Sequence, residues 1–329
     1  MKNRTIAVGL LLLARMGSAE EAQISVDECI IKSVGVAGPE VTAKEIRDNC
    51  QRLDTIEEVE VPKRVLVEKA TEDNPYVITG HRQNYILPVS YMEDPNQSPY
   101  NNNFYPGEED PVKNEEVKLQ LSIKVPLTYS EVLVPNDAVY FGFTLKSFWQ
   151  FYASEVSSPF RETNYRPEVY YEAPIPSQFW GGTLLTRVGI EHESNGRGGD
   201  LSRSWNRVFA GVGFAKNDWG VYLQPWWRIP EDAKEMEDDA DGDDNPDINK
   251  YMGYYELHGV YKHNDFEFSA MSRLNWATGY GAIEAGMSFP LYGRLRGFVQ
   301  YFNGYGESLI DYDHHQQRIG VGFLLTGLL

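Results

Sequence analysis

From Pro75 to the end of the chain, apolar and polar residues alternate with a period of two in segments of about ten residues. In 184–194 one face reads Leu184, Thr186, Val188, Ile190, His192 and Ser194, and the other reads Leu185, Arg187, Gly189, Glu191 and Glu193. Successive side chains of a strand point to opposite faces, so apolar residues and charges here occupy opposite sides of one strand. The split recurs in 204–214, with Val208, Ala210, Val212 and Phe214 against Trp205, Arg207 and Phe209. Segment 221–229 sets Val221, Leu223, Pro225, Trp227 and Ile229 against Tyr222, Gln224, Trp226 and Arg228. Segment 266–276 sets Phe266, Phe268, Ala270, Leu274 and Trp276 against Glu267, Met271, Arg273 and Asn275.

A soluble sandwich also alternates, and four features separate it from a membrane barrel. The segments run about 10–14 residues, longer than soluble strands of ~5–6 and long enough for a tilted membrane strand of ~9–11. Short turns such as Lys216-Asn217-Asp218 and Lys262-His263-Asn264 alternate with long polar loops such as 230–249. Aromatic residues crowd the strand ends (Tyr251, Tyr254, Tyr255, Trp276, Tyr280, Tyr301, Tyr305, Tyr312), where interfacial girdles lie. The chain closes on RIGVGFLLTGLL, with Ile319, Val321, Phe323, Leu325 and Leu329 on one face. In lipid an unpaired backbone N–H or C=O is costly, so strands span only as a closed barrel. The pattern predicts an all-β fold: a twelve-stranded antiparallel transmembrane barrel over 74–329. Its strands fall near 75–90, 116–127, 138–151, 164–173, 182–195, 203–216, 219–229, 250–262, 265–276, 280–289, 292–304 and 314–326. A barrel of this size is narrow, so inward Arg and Glu are expected to form a hydrogen-bonded plug.

The 42% hydrophobic content excludes a wholly disordered chain, and a net charge of −18 argues against a nucleic-acid binder, which needs clustered Lys and Arg. The opening MKNRTIAVGLLLLARMGSAEEAQ carries Lys2 and Arg4, an apolar run Ile6–Ala14 and the small residues Gly17, Ser18 and Ala19. That order reads as an export signal, residues 1–19, cleaved after Ala19. Export places Cys29 and Cys50 where pairing is favoured over two free thiols. Residues 20–73 read as a short N-terminal extension, partly helical or flexible, and 92–114 as a loop rich in Pro, Asn and acidic residues.

Within GIEHESNGRGGDLSRSWNR (189–207), His192 and Ser194 share the apolar face, and Asn206, across a loop of about seven residues, has the parity of Val208 and Val212. Polar side chains facing hydrocarbon are costly, which calls for an explanation. These residue types fit acyl transfer: Ser194 as nucleophile, His192 as base, and Asn206 holding the ring and its tautomer. The bland alternative is three ordinary polar residues at a barrel rim. Spacing alone does not decide.

The stretch HESNGRGGDLSRSWNR, with SSPFRETNYRPE (157–168), DDNPDINKYMGYYEL (243–257), NWATGYG (275–281) and GYGESLIDYD (304–313), resembles the outer-membrane phospholipase A family of Gram-negative bacteria. The resemblance covers roughly 75–329 and not 20–73. It implies a twelve-stranded outer-membrane enzyme that hydrolyses acyl esters of phospholipids and lysophospholipids, requires Ca²⁺ and acts as a homodimer. It further implies that Ser194, His192 and Asn206 match the family's triad. Calcium would be held by backbone oxygens at Arg197 and Ser202, the Ser202 hydroxyl, and Ser157 from the partner subunit, with Asp244 an additional position. A hard cation with oxygen ligands suits polarisation of an ester carbonyl. Two departures stand out. Leu145 occupies the position of a family Gln taken to support the triad Asn, which puts the support of Asn206 in doubt, and Leu329 ends a chain of a type that usually ends in Phe.

Other motifs are weaker. The run 231–247 is strongly acidic, but aligning Glu237, Asp239, Asp241 and Gly242 to an EF-hand puts Ile248 where the bidentate Glu belongs, so it reads as a solvated loop. His258, His314 and His315 are scattered. The competing function is a non-enzymatic barrel, a narrow channel or adhesion scaffold. Parity disfavours it, because channel residues face the lumen and this triad faces away.

Overall fold

The computed structural model describes residues 42, 44, 79–100, 111–128, 131–234, 242–293 and 295–328. The predicted signal, Cys29, Cys50 and Leu329 lie outside the described residues, as does the extension 20–73 apart from Thr42 and Lys44. Among the described residues no helix is long and apolar enough to cross a membrane. A two-residue strand, β1 (Thr79–Gly80), precedes twelve long ones: β2 (Asn84–Met92), β3 (Glu115–Pro126), β4 (Ala138–Trp149), β5 (Phe160–Phe179), β6 (Gly182–Ser194) and β7 (Ser204–Lys216), then β8 (Trp219–Arg228), β9 (Tyr255–His263), β10 (Phe266–Leu274), β11 (Gly281–Tyr292), β12 (Leu295–Tyr305) and β13 (His315–Thr326). Each pairs with its neighbour in sequence, and β13 pairs back onto β2, closing the barrel without a free edge. The chain divides into two units, and the one comprising 78–175, 185–214 and 218–329 holds all the candidate site residues.

Alternation sets which side chains meet lipid. Val188 and Ile190 are 50% and 58% exposed while Glu191 between them and His192 is 3% exposed. Val221, Leu223 and Trp227 likewise face out, and Gln224, Trp226 and Arg228 face in. The lumen is filled by ion pairs. Arg161 bonds Glu116 (Nε to Oε2, 3.1 Å) and Asp311 (Nη1 to Oδ2, 2.7 Å), Arg318 bonds Glu307 (2.7 Å) and Glu116 (2.7 Å), and Lys118 bonds Glu307 (2.9 Å). Each of these buried charges thus has a partner, which removes most of the penalty of leaving water. Glu307 and Asp311 sit in the β12–β13 loop. Burial alone would raise Glu307, but Arg318 and Lys118 hold its carboxyl down at about 2.

The strands depart from the predicted segments in three places. Segment 75–90 is interrupted: β1 pairs Thr79 with Lys124 on β3, then the chain breaks at 81–83, where His81 and Arg82 turn to Glu168 (2.8 and 3.2 Å), before β2 begins. Strand β5 runs well beyond 164–173, and its hairpin with β6 turns at Trp180 and Gly181, both at positive φ (53° and 71°), the conformation a two-residue hairpin turn requires. Residues Ile248–Met252 form a short helix, α1, rather than the start of a strand, and Gly253 ends it at φ 69°. Ile248 and Met252 pack with Trp205, Phe209, Trp226 and Leu309, so α1 closes the barrel over the inner faces of β7 and β8.

Candidate active site

The β6–β7 connection, 195–203, is short and internally stapled. The buried Asn195 amide donates to Leu201 O (2.7 Å), and its Oδ1 accepts from the backbone of Arg203 (3.0 Å) and Arg197 (3.3 Å). Gly199–Leu201 forms one 3-10 turn, and Leu201 packs against Met92, Tyr100 and Ile310. On the inner face, Glu193 accepts from Trp205 Nε1 (3.0 Å) and Arg207 (2.8 Å), and Glu191 pairs with Arg166 and Arg207. Inward residues therefore fix the ends of β6 and β7, whose outward residues are the candidates.

On the outer face the structure brings His192 and Asn206 together: His192 Nδ1 and Asn206 Oδ1 are 2.9 Å apart. Asn206 Nδ2 donates to Glu231 Oε1 at 3.0 Å. An ionised carboxylate only accepts, so the amide nitrogen must face Glu231 and the amide oxygen the ring. Imidazole Nδ1 then carries the proton and Nε2 presents its lone pair, the form a general base needs. Ser194 lies two residues from His192 on the same face, half-buried, and no hydrogen bond joins its Oγ to the imidazole. Such contacts are commonly loose without substrate and tighten in the reacting complex.

Of the candidate metal ligands, Ser202 and Asp244 meet: Ser202 Oγ donates to Asp244 Oδ2 (2.7 Å), as does Ser204 Oγ (3.3 Å). Arg197 shares the β6–β7 loop with Ser202, whereas Asp244 comes from the β8–β9 loop, and the Arg197 guanidinium donates to the Arg161 carbonyl (2.5 Å). Ser157, at φ 64° and exposed, sits apart in the β4–β5 loop. Asp244 Oδ1 is also 2.5 Å from Lys234 Nζ, and the Ser202 carbonyl accepts from Arg203 Nη1 (2.7 Å). Among the described residues no three His, Cys, Asp or Glu side chains are placed to hold a metal ion together. The donor set is therefore carbonyl, hydroxyl and a single carboxylate, all oxygen, which fits Ca²⁺ rather than a softer metal.

The position expected to support Asn206 is a correction. Leu145 pairs with Leu121 and Tyr165, and β5 and β6 separate its strand from β7. Three strand spacings are about 14 Å, beyond the reach of any side chain at 145. The partner that Asn206 does meet on that side is Glu231. It lies in the acidic run that the sequence marked only as a solvated loop, and its approach follows from Ile229 N bonding Asn206 O (2.8 Å) past the end of β8.

A closed barrel with an inward ion network, an outward apolar band and a His–Asn pair on its wall defines an outer-membrane β-barrel enzyme. A sequence profile described as Phospholipase A1 matches residues 61–325. Phospholipase A1 of Escherichia coli K12 is 40% identical over 257 residues, covering 78% of this chain and 84% of that protein, and the Klebsiella pneumoniae enzyme is 39% identical, covering 78% and 85%. The structure of Escherichia coli outer membrane phospholipase A matches with TM-score 0.70 at 40% identity, over 78% of this chain and 95% of that one. The Salmonella typhi outer membrane phospholipase, a dimer with bound calcium, matches with TM-score 0.70 at 39% identity, over 78% and 95%. The chain belongs to the phospholipase A1 family, and a non-enzymatic barrel is set aside.

Proposed function

We propose that the chain hydrolyses acyl esters of phospholipids and lysophospholipids with Ser194, His192 and Asn206, in a calcium-dependent reaction that homodimerisation switches on. The carrying observation is the 2.9 Å bond between His192 Nδ1 and Asn206 Oδ1 on the outer wall, two residues from Ser194. Ser194 Oγ attacks the ester carbonyl as His192 Nε2 takes its proton. The imidazolium, held by Asn206, delivers that proton to the departing glycerol oxygen. Water then enters by the same route in reverse and releases the fatty acid. Placing these groups on the lipid-facing wall lets an acyl chain reach them without leaving the bilayer. Asn206 is neutral and stabilises the imidazolium less than a carboxylate would, and the oxyanion, which no triad member faces, needs donors of its own. Ca²⁺ held by the Arg197 and Ser202 carbonyls, the Ser202 hydroxyl and Ser157 of the partner subunit, with Asp244 as a further ligand, would supply that stabilisation by polarising the ester carbonyl.

Two relatives support the reading: the Salmonella typhi protein is a dimer with bound calcium, and an Escherichia coli variant lacks an active-site asparagine. The test is fatty-acid release from phospholipid in detergent micelles, with Ca²⁺ or EDTA. Wild type should be active only with Ca²⁺, and Ser194→Ala should lose on the order of 10³-fold or more in kcat. Equal activity in the two proteins would remove the catalytic assignment, and a calcium-independent wild-type rate would remove the metal.

A further inference from the structure

We infer that Glu231 is a positioning residue for the reaction, the group that fixes Asn206 so that Asn206 can fix His192; the inference rests on the triad reading above. An asparagine amide rotates freely about its last bond, and either end can face an imidazole. Only a partner on its far side selects the end. Glu231 Oε1 accepts from Asn206 Nδ2 at 3.0 Å, on the side opposite the 2.9 Å contact to His192. With that bond made, Asn206 Oδ1 faces the ring, Nδ1 must donate, and Nε2 is left to act on Ser194.

The segment carrying Glu231 is built to hold it there. Ile229 N extends the β7–β8 ladder onto Asn206 O (2.8 Å), which brings residue 231 alongside Asn206 with the parity of the outward Trp227 and Ile229. Two residues on, Ala233 bridges Asp243, and Asp243 N bonds Asp232 O (2.8 Å). Asp243 Oδ1 is in turn held by Arg228 Nη2 (2.5 Å) and by the backbone of Asn245 (2.9 Å). Glu231 is thus gripped from both sides. Among the described residues no Lys or Arg lies within 4.0 Å of its carboxylate, although Lys234 is three residues away and pairs with Asp244 instead. A half-buried carboxylate with an amide as its sole described partner is directed at that amide, and a charged acceptor makes the bond roughly twice as strong as a neutral one.

The test compares full-length Glu231→Leu and Glu231→Gln with wild type and Ser194→Ala in detergent. Leu is near in size and cannot accept a hydrogen bond, whereas Gln keeps a carbonyl at the same reach. Glu231→Leu should lower kcat about tenfold while KM stays within about twofold, because the group touches no substrate. Glu231→Gln should recover most of that loss. In resting protein with ¹⁵N-labelled histidine, the His192 Nδ1 proton should be protected in wild type and Glu231→Gln and exchange-broadened in Glu231→Leu. That readout needs no turnover. A fully active Ser194→Ala beside a Glu231-dependent Nδ1 proton would therefore defeat the catalytic reading and leave the positioning. A Glu231→Leu protein with wild-type kcat and an unchanged Nδ1 proton overturns the inference, as does a loss confined to KM or a Gln variant no better than Leu.

Discussion

At Asn206 one side chain faces two others with opposite demands, and that decides what may stand there. Aspartate is the usual third member of a hydrolase triad, but here its second oxygen would meet the Glu231 carboxylate, which now accepts at 3.0 Å from the amide. Two carboxylates at that distance repel or must share a proton. Asn206→Asp should therefore lower kcat about tenfold, and adding Glu231→Gln should restore most of it, a coupling of about 1–2 kcal/mol in a double-mutant cycle of kcat/KM. Additive losses would show that the two side chains do not interact. The shared face of His192, Ser194 and Asn206 was legible from parity, because period two leaves no freedom once the strand is recognised, whereas their reading as a triad came from the family resemblance. Glu231 was not legible, since nothing local distinguishes it from the other acids of 231–247. Its proposed role depends on one backbone bond, Ile229 to Asn206, at the last residue of the predicted segment and just past the end of β8.

Among the elements, the stem of the β8–β9 loop joins the wall that carries the proposed triad to the candidate metal ligands. Glu231 and Lys234 lie on one arm, and Asp243 and Asp244 on the other. Gly242 turns the second arm at φ 108°, and a Cβ there would come within 2.9 Å of the Lys234 backbone. Lys234 Nζ, 2.5 Å from Asp244, competes with any cation for that carboxylate. Lys234→Ala should lower the Ca²⁺ concentration for half-maximal activity severalfold, on the order of 1 kcal/mol for removing one partly screened charge. Calcium binding measured by calorimetry should follow the same order, and an unchanged or raised requirement would remove Asp244 from the metal site. Sequence patterning failed here for a physical reason. Tyr251 and Tyr254 look like strand residues, yet Gly253 breaks the run before β9 begins at Tyr255, and Ile248 and Met252 find an apolar lid position over Trp205 and Trp226, so packing overrides propensity. The tight turns at Asn217 and Asn264, both at positive φ, stood out in the sequence because few residues adopt that conformation.

For the whole molecule, stability depends on a lumen that is charged rather than apolar. The twelve-strand count and inward Arg and Glu followed from alternation, but which charges pair did not, because partners such as Arg161 and Asp311 are 150 residues apart. Glu307 has a folded pKa of about 2 against an ordinary 4.5, so its contribution is complete above about 4.5 and is lost as pH falls through about 2. Asp311, where burial is outweighed by Arg161 and the Ser308 and Asn96 hydrogen bonds, is also lowered and acts in the same direction. The urea midpoint of the detergent-solubilised protein should fall steadily below pH 4.5, and Glu307→Gln should flatten that slope at a lower overall midpoint. A variant with an unchanged slope would show that the network does not govern acid stability.

The proposed nucleophile, Ser194, lies on the outward face of the barrel wall, and a covalent probe tests that proposal most directly. An acyl-chain phosphonate ester added to the protein in detergent with Ca²⁺ should modify Ser194 alone, as read by peptide mass. His192→Ala and Asn206→Ala should slow that labelling by at least about tenfold while the barrel remains folded. Labelling at another serine, or at Ser194 with the same rate in all three proteins, would contradict a nucleophile activated by His192 and Asn206.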